Sequence, residues 1–287
     1  ICPFRRMFFC AGLIFFNKYK IQKFKYFINM RFVDTRTHLY RESYPDNWEE
    51  TVRRAIDAGV DKMILGCVNS ETPAWLNEAV KLFPDNFFVL IGLHPEDTKK
   101  DFEDALAQLE PHFEDPNVVG VGEIGLDYYW DKTFEKEQRE AFYRQLCWAR
   151  DRKLPLSLHI RSAYNDAIEI LKKFRPGELT GVMHCFSGGV QEADWAVKNG
   201  FALGIGGTVT FKNSKVQDIV AHVGLENIVL ETDAPYLAPV PHRGKPNESA
   251  YIPFIAQKVA DLFQVSLQTV ADVTTENAYR IFTKLTR

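Results

Sequence analysis

The chain has 287 residues, 46% apolar and 25% charged, with 35 basic against 38 acidic side chains and a formal net charge of −3. That length can bury a full core, as one large α/β barrel or as two smaller domains, and the composition is that of an ordinary globular protein. The acidic balance excludes gripping nucleic acid by bulk electrostatics, so a phosphate-bearing substrate would need local cations or metal ions.

The first thirty residues stand apart: they carry six basic residues (Arg5, Arg6, Lys18, Lys20, Lys23, Lys25) and no acid. Without them the balance is 29 basic against 38 acidic. The apolar run MFFCAGLIFF spans only ten residues, too short to cross a bilayer, and no small-residue cleavage site follows it. Phe, Ile, Lys, Asn and Tyr, the residues of A/T-rich codons, make up 19 of the thirty, and Met30 directly precedes the first convincing strand. Residues 1–30 are therefore expected to be an atypical leader outside the fold, with the natural start at Met30. Five cysteines, at 2, 10, 67, 147 and 185, form no CxxC pair and no zinc-ribbon spacing. Scattered thiols of odd number suit a reducing, cytoplasmic setting.

From residue 31 apolar strands alternate with helical segments. The expected strands are RFVDT (31–35), KMILGCV (62–68), FFVLIGL (87–93), VVGVGEIGL (118–126), LPLSLHI (154–160), GVMHC (181–185), FALGI (201–205) and NIVLET (227–232). Between them lie WEETVRRAIDAG, TPAWLNEAVKLF, EKEQREAFYRQLCWARDR and VQEADWAVKNG, several closing on a glycine suited to a C-cap. Strands this continuously apolar are buried on both faces. Eight such units predict a single (β/α)8 TIM barrel over 31–287. A doubly wound open sheet is the alternative, but no GxGxxG follows an early strand.

Barrel active sites lie at the carboxyl ends of the strands, so the residues that close each strand carry the chemistry. Strand one closes with Asp34, Arg36 and His38, strand three with His94-Pro95, strand four runs into Glu123, strand five ends at His159, strand six at His184 and strand eight at Asp233. One strand-end histidine is more often a hydrogen-bonded core residue than a ligand. Several imidazoles and carboxylates converging on one rim suit a divalent metal, and one carboxylate can bridge two ions. Arg36 breaks the pattern, because a guanidinium is a permanent cation that cannot ligate a metal. Arg161, Arg243 and Lys245 are candidates to neutralise phosphates. Tyr128, Tyr129 and Trp130 are candidates to stack on bases, with rim packing equally open to them.

FVDTRTHL, GLHPE, GEIGLDYY, LHIRSA, MHCFSGG, ETDAPYLAPVPHRGKPN and TTENAYRIF, in this order, resemble the successive signatures of the TatD family of metal-dependent deoxyribonucleases. The resemblance covers essentially all of 31–287. It implies a barrel of the metal-dependent hydrolase superfamily with its metal site at the C-terminal ends of the strands. The activity it implies is Mg²⁺- or Mn²⁺-dependent cleavage of DNA phosphodiesters, exonucleolytic in kind, with Zn²⁺ as a further candidate metal. Carried onto this chain, Glu123 becomes the bridging carboxylate, His159 and His184 complete one metal site, and His38 and Asp233 belong to the other. Asp233 would also orient or deprotonate the attacking water, and His94 would contact substrate. Arg36 stands where the family has an imidazole ligand, which implies one metal instead of two, or a weakened enzyme. A His codon becomes an Arg codon by one base change, so an error in the sequence is another reading of position 36. No membrane and no obligate protein partner are implied. Two other functions stay open: hydrolysis of an ester or amide, such as deacylation of aminoacyl-tRNA, and a catalytically impaired barrel that only binds nucleic acid.

Overall fold

The computed structural model describes residues 30–45 and 47–286. The expectation about the leader, Met30 apart, lies outside them. Eight parallel strands form one sheet in sequential order: β1 (Phe32–Thr37), β2 (Val60–Gly66), β3 (Phe87–Ile91), β4 (Val118–Asp127), β5 (Leu156–Arg161), β6 (Gly181–Met183), β7 (Phe201–Ile205) and β8 (Ile228–Leu230). The sheet curls until β8 meets β1. Thr35 Oγ1 donates to Leu230 O at 3.0 Å, and just above, Asp233 N donates to Arg36 O at 3.0 Å and His38 N to Ala234 O at 2.7 Å. The architecture is the expected (β/α)8 barrel.

Helices cover the outside: α1 (Trp48–Asp57), α2 (Thr72–Leu82), α3 (Phe102–Leu109), α4 (Glu135–Arg152), α5 (Tyr164–Leu171), α6 (Val190–Lys198), α7 (Val216–Val223), α8 (Ile252–Phe263) and α9 (Leu267–Ile281). Their apolar stripes face the strands' outward side chains, as with Val52 and Ala55 of α1 or Phe142 and Leu146 of α4, all at most 1% exposed. The inward side chains make a second core at the bottom of the barrel. Val33, Ile64, Phe88, Leu90, Val119, Val182, Ala202 and Val229, from seven strands, pack on Ala278 and Phe282 at the end of α9. That plug leaves the opposite mouth, at the strands' carboxyl ends, as the open face of the barrel. No helix among the described residues is long and apolar enough to cross a membrane.

The expected strands all form, with shifted ends. Four expected strands run past the observed carboxyl end: β2 stops at Gly66, β3 at Ile91, β6 at Met183 and β8 at Leu230, and His94, His184 and Asp233 sit in the loops beyond the last three. An apolar run does not stop where the ladder does, because the first loop residues stay buried beneath the mouth. Among the places where the ladder slips, one lies between Asp34 and Thr37 on the β1–β2 side and one between Val121 and Ile124 on the β4–β5 side. Such irregularities re-aim side chains, and these bracket Arg36 and Glu123.

Candidate metal centre

Glu123, 1% exposed, stands at the centre of the mouth. Its Oε1 lies 2.9 Å from His159 Nδ1, 3.5 Å from His184 Nε2 and 3.5 Å from His94 Nε2. Its Oε2 lies 3.6 Å from His38 Nε2. Asp233 completes the ring, with Oδ1 3.7 Å from His38 Nε2 and 3.5 Å from His184 Nε2. Asp233 takes a left-handed backbone (φ 54°), fixed by its N–H on Arg36 O, which turns the carboxylate into the mouth. Glu123, Asp233 and four of the seven histidines therefore converge on one point, whereas Asp34 does not join them.

Two carboxylates that sequence reasoning did not single out stand behind the imidazoles. Asp127 Oδ2 lies 2.8 Å from His159 Nε2, and Glu231 Oε2 lies 3.0 Å from His184 Nδ1. Each leaves the ring's other nitrogen facing Glu123: Asp127 by a hydrogen bond to His159, Glu231 as a charge beside His184, the usual arrangement of carboxylates behind metal-ligating histidines. Glu231 fits because Gly204 on the neighbouring strand lacks a side chain: a Cβ there would come 2.3 Å from Glu231 Oε2. The available signal was a carboxylate closing an apolar strand, the same criterion that found Glu123. Asp34 is a further buried acid. It accepts from Thr232 N at 2.9 Å, from Thr232 Oγ1 at 2.5 Å and from Ser249 Oγ at 2.6 Å, tying β1 to the segment after β8 and to the start of α8. Burial nevertheless pushes its carboxyl up to about 7.

Arg36 does not point at Asp34. Its Nη2 contacts Glu123 Oε2 and His38 Nε2. The guanidinium, fully buried, is pressed against Gly66 of β2, where a Cβ would lie 2.5 Å from Arg36 Cζ. Its Nε and Nη1 find no hydrogen-bond partner among the described residues.

The electrostatics divide the mouth in two. Burial, reinforced by the Arg36 cation, holds His38 well below the usual imidazole range, and burial with the neighbouring His159 does the same to His94. Burial also disfavours charge on His184, but Glu231 and Asp233 together outweigh it and lift that ring to about 9. Burial would raise Asp233; His184, His38 and Arg36 instead hold it well below the usual carboxylate range. On the β5–β6 side, Glu123, His159, His184 and Asp233 offer two oxygens and two nitrogens fixed from behind, a donor set that fits a divalent cation. His94, Glu96 and His159 also present ligand atoms within 4.8 Å of one another. On the β1 side the guanidinium already lies against Glu123 and His38, so a second cation does not fit.

The other sequence candidates sit on the rim. Arg161 ends β5. Arg243 and Lys245 are exposed in the loop after β8, where the Arg243 guanidinium lies 4.1 Å from the Phe211 ring centroid. Tyr128 turns inward, 9% exposed with its hydroxyl on Asp166 at 3.1 Å, and leaves Tyr129 and Trp130 to the surface.

The profile of the family described as TatD related DNase matches residues 33–283. An uncharacterized metal-dependent hydrolase of Bacillus subtilis, YabD, is 36% identical over 250 residues, 87% of this chain and 98% of its own length. A protein of Edwardsiella piscicida named 3'-5' ssDNA/RNA exonuclease TatD is 31% identical over 256 residues, covering 87% of this chain and 98% of that one. The crystal structure of YjjV, a TatD homolog from Escherichia coli K12, superposes with a TM-score of 0.82 at 31% identity, over 88% of this chain and 98% of the other. With the barrel, the carboxylate-backed histidines and these relatives together, this chain belongs to the TatD family of metal-dependent hydrolases.

Proposed function

We propose that this protein hydrolyses phosphodiester bonds of single-stranded nucleic acid, DNA foremost, from the 3' end, with one divalent cation held by Glu123, His159, His184 and Asp233. One observation carries the reading. Glu123 Oε1 faces His159 Nδ1 and His184 Nε2 at once, and each ring is anchored from behind by its own carboxylate. The strand form and polarity follow relatives named 3'-5' ssDNA/RNA exonuclease.

When bound there, a cation such as Mg²⁺ or Mn²⁺ supplies Lewis acidity to a phosphoryl oxygen and to the attacking water. The chain's own residues do the rest. Asp233, kept ionised by His184, His38 and Arg36, accepts the proton of the attacking water. Asp127 orients His159 by a hydrogen bond, and Glu231 places a negative charge behind His184. Arg36 places a fixed positive charge beside Glu123, where the family resemblance implies an imidazole, and stabilises negative charge developing on the phosphoryl oxygens.

The test is cleavage of a 3'-labelled single strand in Mg²⁺, Mn²⁺ or Zn²⁺, with a chelator control and a parallel panel of carboxylic esters and aminoacyl-tRNA. Glu123→Gln removes the central anionic oxygen while keeping the side chain's shape. It should abolish metal-dependent cleavage and leave the circular dichroism spectrum unchanged. Near-normal activity in that variant, or hydrolysis confined to the carbonyl substrates, would overturn the proposal.

A further inference from the structure

Above β4 and β5 lies a cluster that the metal centre does not use. Tyr129 and Trp130 are 57% and 64% exposed, side by side in the turn that follows β4, with ring centroids 4.9 Å apart at an interplanar angle of 86°. The Arg161 guanidinium lies 4.0 Å from the Tyr129 centroid and 5.2 Å from the Trp130 centroid. Two large aromatic faces held open to water beside a guanidinium are costly to maintain and informative when observed.

The turn is tied to the metal centre by one carboxylate. Asp127 Oδ1 accepts from Tyr129 N at 2.8 Å and from Trp130 N at 3.4 Å, while Oδ2 of the same group holds His159. Tyr128 N donates to Arg161 O at 3.0 Å, so the turn is laid across the end of β5, two residues beyond His159. Aromatic platform, guanidinium and metal-facing imidazole are thus built on two adjacent strand ends and share a support.

We infer that Tyr129, Trp130 and Arg161 form a subsite for an unpaired nucleobase next to the scissile phosphodiester. The inference rests on the nuclease reading above and specifies the substrate end that it takes. The acidic chain, with 35 basic against 38 acidic residues, draws little affinity from the polyanionic backbone, whereas stacking on aromatic faces needs no net charge and tolerates any base. A base inside a duplex already has both faces covered. The platform therefore selects a frayed or single-stranded end, and Asp127 acts as a positioning residue that keeps platform and His159 in register.

The experiment is a cycle of two enzymes and two strands: wild type and Tyr129→Ala/Trp130→Ala, on a 12-nucleotide thymidine strand and on the same strand lacking its last two bases. The double substitution should raise KM on the full strand about 10-fold, the order of one lost stacking contact. The base-free end should cost the wild type a similar factor, and the substitutions should add no further loss on it. Trp130 is the one exposed tryptophan among the described residues, the others being buried or half-buried, so wild-type fluorescence should be quenched by the full strand and not by the base-free one. An unchanged KM on the full strand, or an equal loss on both strands, would overturn the subsite while the nuclease reading stands. Failure of the wild type to cleave any strand would overturn both.

Discussion

Arg36 is a fixed cation among the imidazoles and carboxylates of the mouth, and its environment gives it two faces. One edge of the guanidinium is an ion-pair partner for Glu123; the other, Nε and Nη1, is buried against Gly66 without acceptors. Unmet buried donors cost about 1–3 kcal/mol each, so the arginine is accommodated at the expense of stability. Arg36→His should raise bound metal from about one to about two per chain by elemental analysis. It should also raise nuclease rates about 10- to 1000-fold, the order expected when a major electrostatic element of a site is completed. Arg36→Ala should give neither gain. In chelator it should lower stability by about 3–5 kcal/mol, because Glu123 is left buried without its cation. If both substitutions lower the rate while the metal content stays at one, the arginine has an adapted role and is not a lost ligand. The register slip in β1 aims the side chain across the mouth to Glu123, away from its neighbour Asp34, a choice of partner that no local pattern in the sequence makes.

At the scale of elements, the closure of β8 on β1 depends on Asp34, which holds Thr232 and Ser249 at once. Its carboxyl is pushed up to about 7 from an ordinary value near 3.8, so the folded protein binds this proton more tightly than the unfolded chain does. The sign follows directly. Asp34 contributes stability fully present below about pH 4, and that contribution is lost as pH climbs to about 7. Asp34→Asn should remove this dependence. The stability difference, wild type minus variant, measured by urea unfolding in chelator, should fall by about 3 kcal/mol across that window. A flat difference would mean that the three donors, not burial, govern the group. Helices were read well because their periodicity is local; all 18 residues of α4 were legible in EKEQREAFYRQLCWARDR. Strand ends were read less well, since hydrogen bonding to a neighbouring strand, and not local polarity, decides where a ladder stops.

At the scale of the whole molecule, a plug at one end and a polar mouth at the other divide stability from chemistry. Phe282, fully buried, packs with Leu90 and Val119 under the barrel, far from any metal-facing side chain. Phe282→Ala should cost about 3–5 kcal/mol in denaturant unfolding while metal per chain and KM stay at wild-type values. A change in metal stoichiometry would show that bottom and mouth are coupled. The alternation of strands and helices, the eight-fold count, the acids and imidazoles at strand ends and the anomaly at position 36 were all determined by the sequence itself, because each is a matter of local periodicity and residue chemistry. Which oxygen of Glu123 meets which nitrogen, that Asp127 and Glu231 stand behind the rings, that Tyr128 turns in while Tyr129 and Trp130 turn out, and that the guanidinium pairs with Glu123 were decided only by the tertiary structure. These contacts join residues tens to hundreds of positions apart. The curl and register of the barrel bring them together, and no local pattern encodes that register.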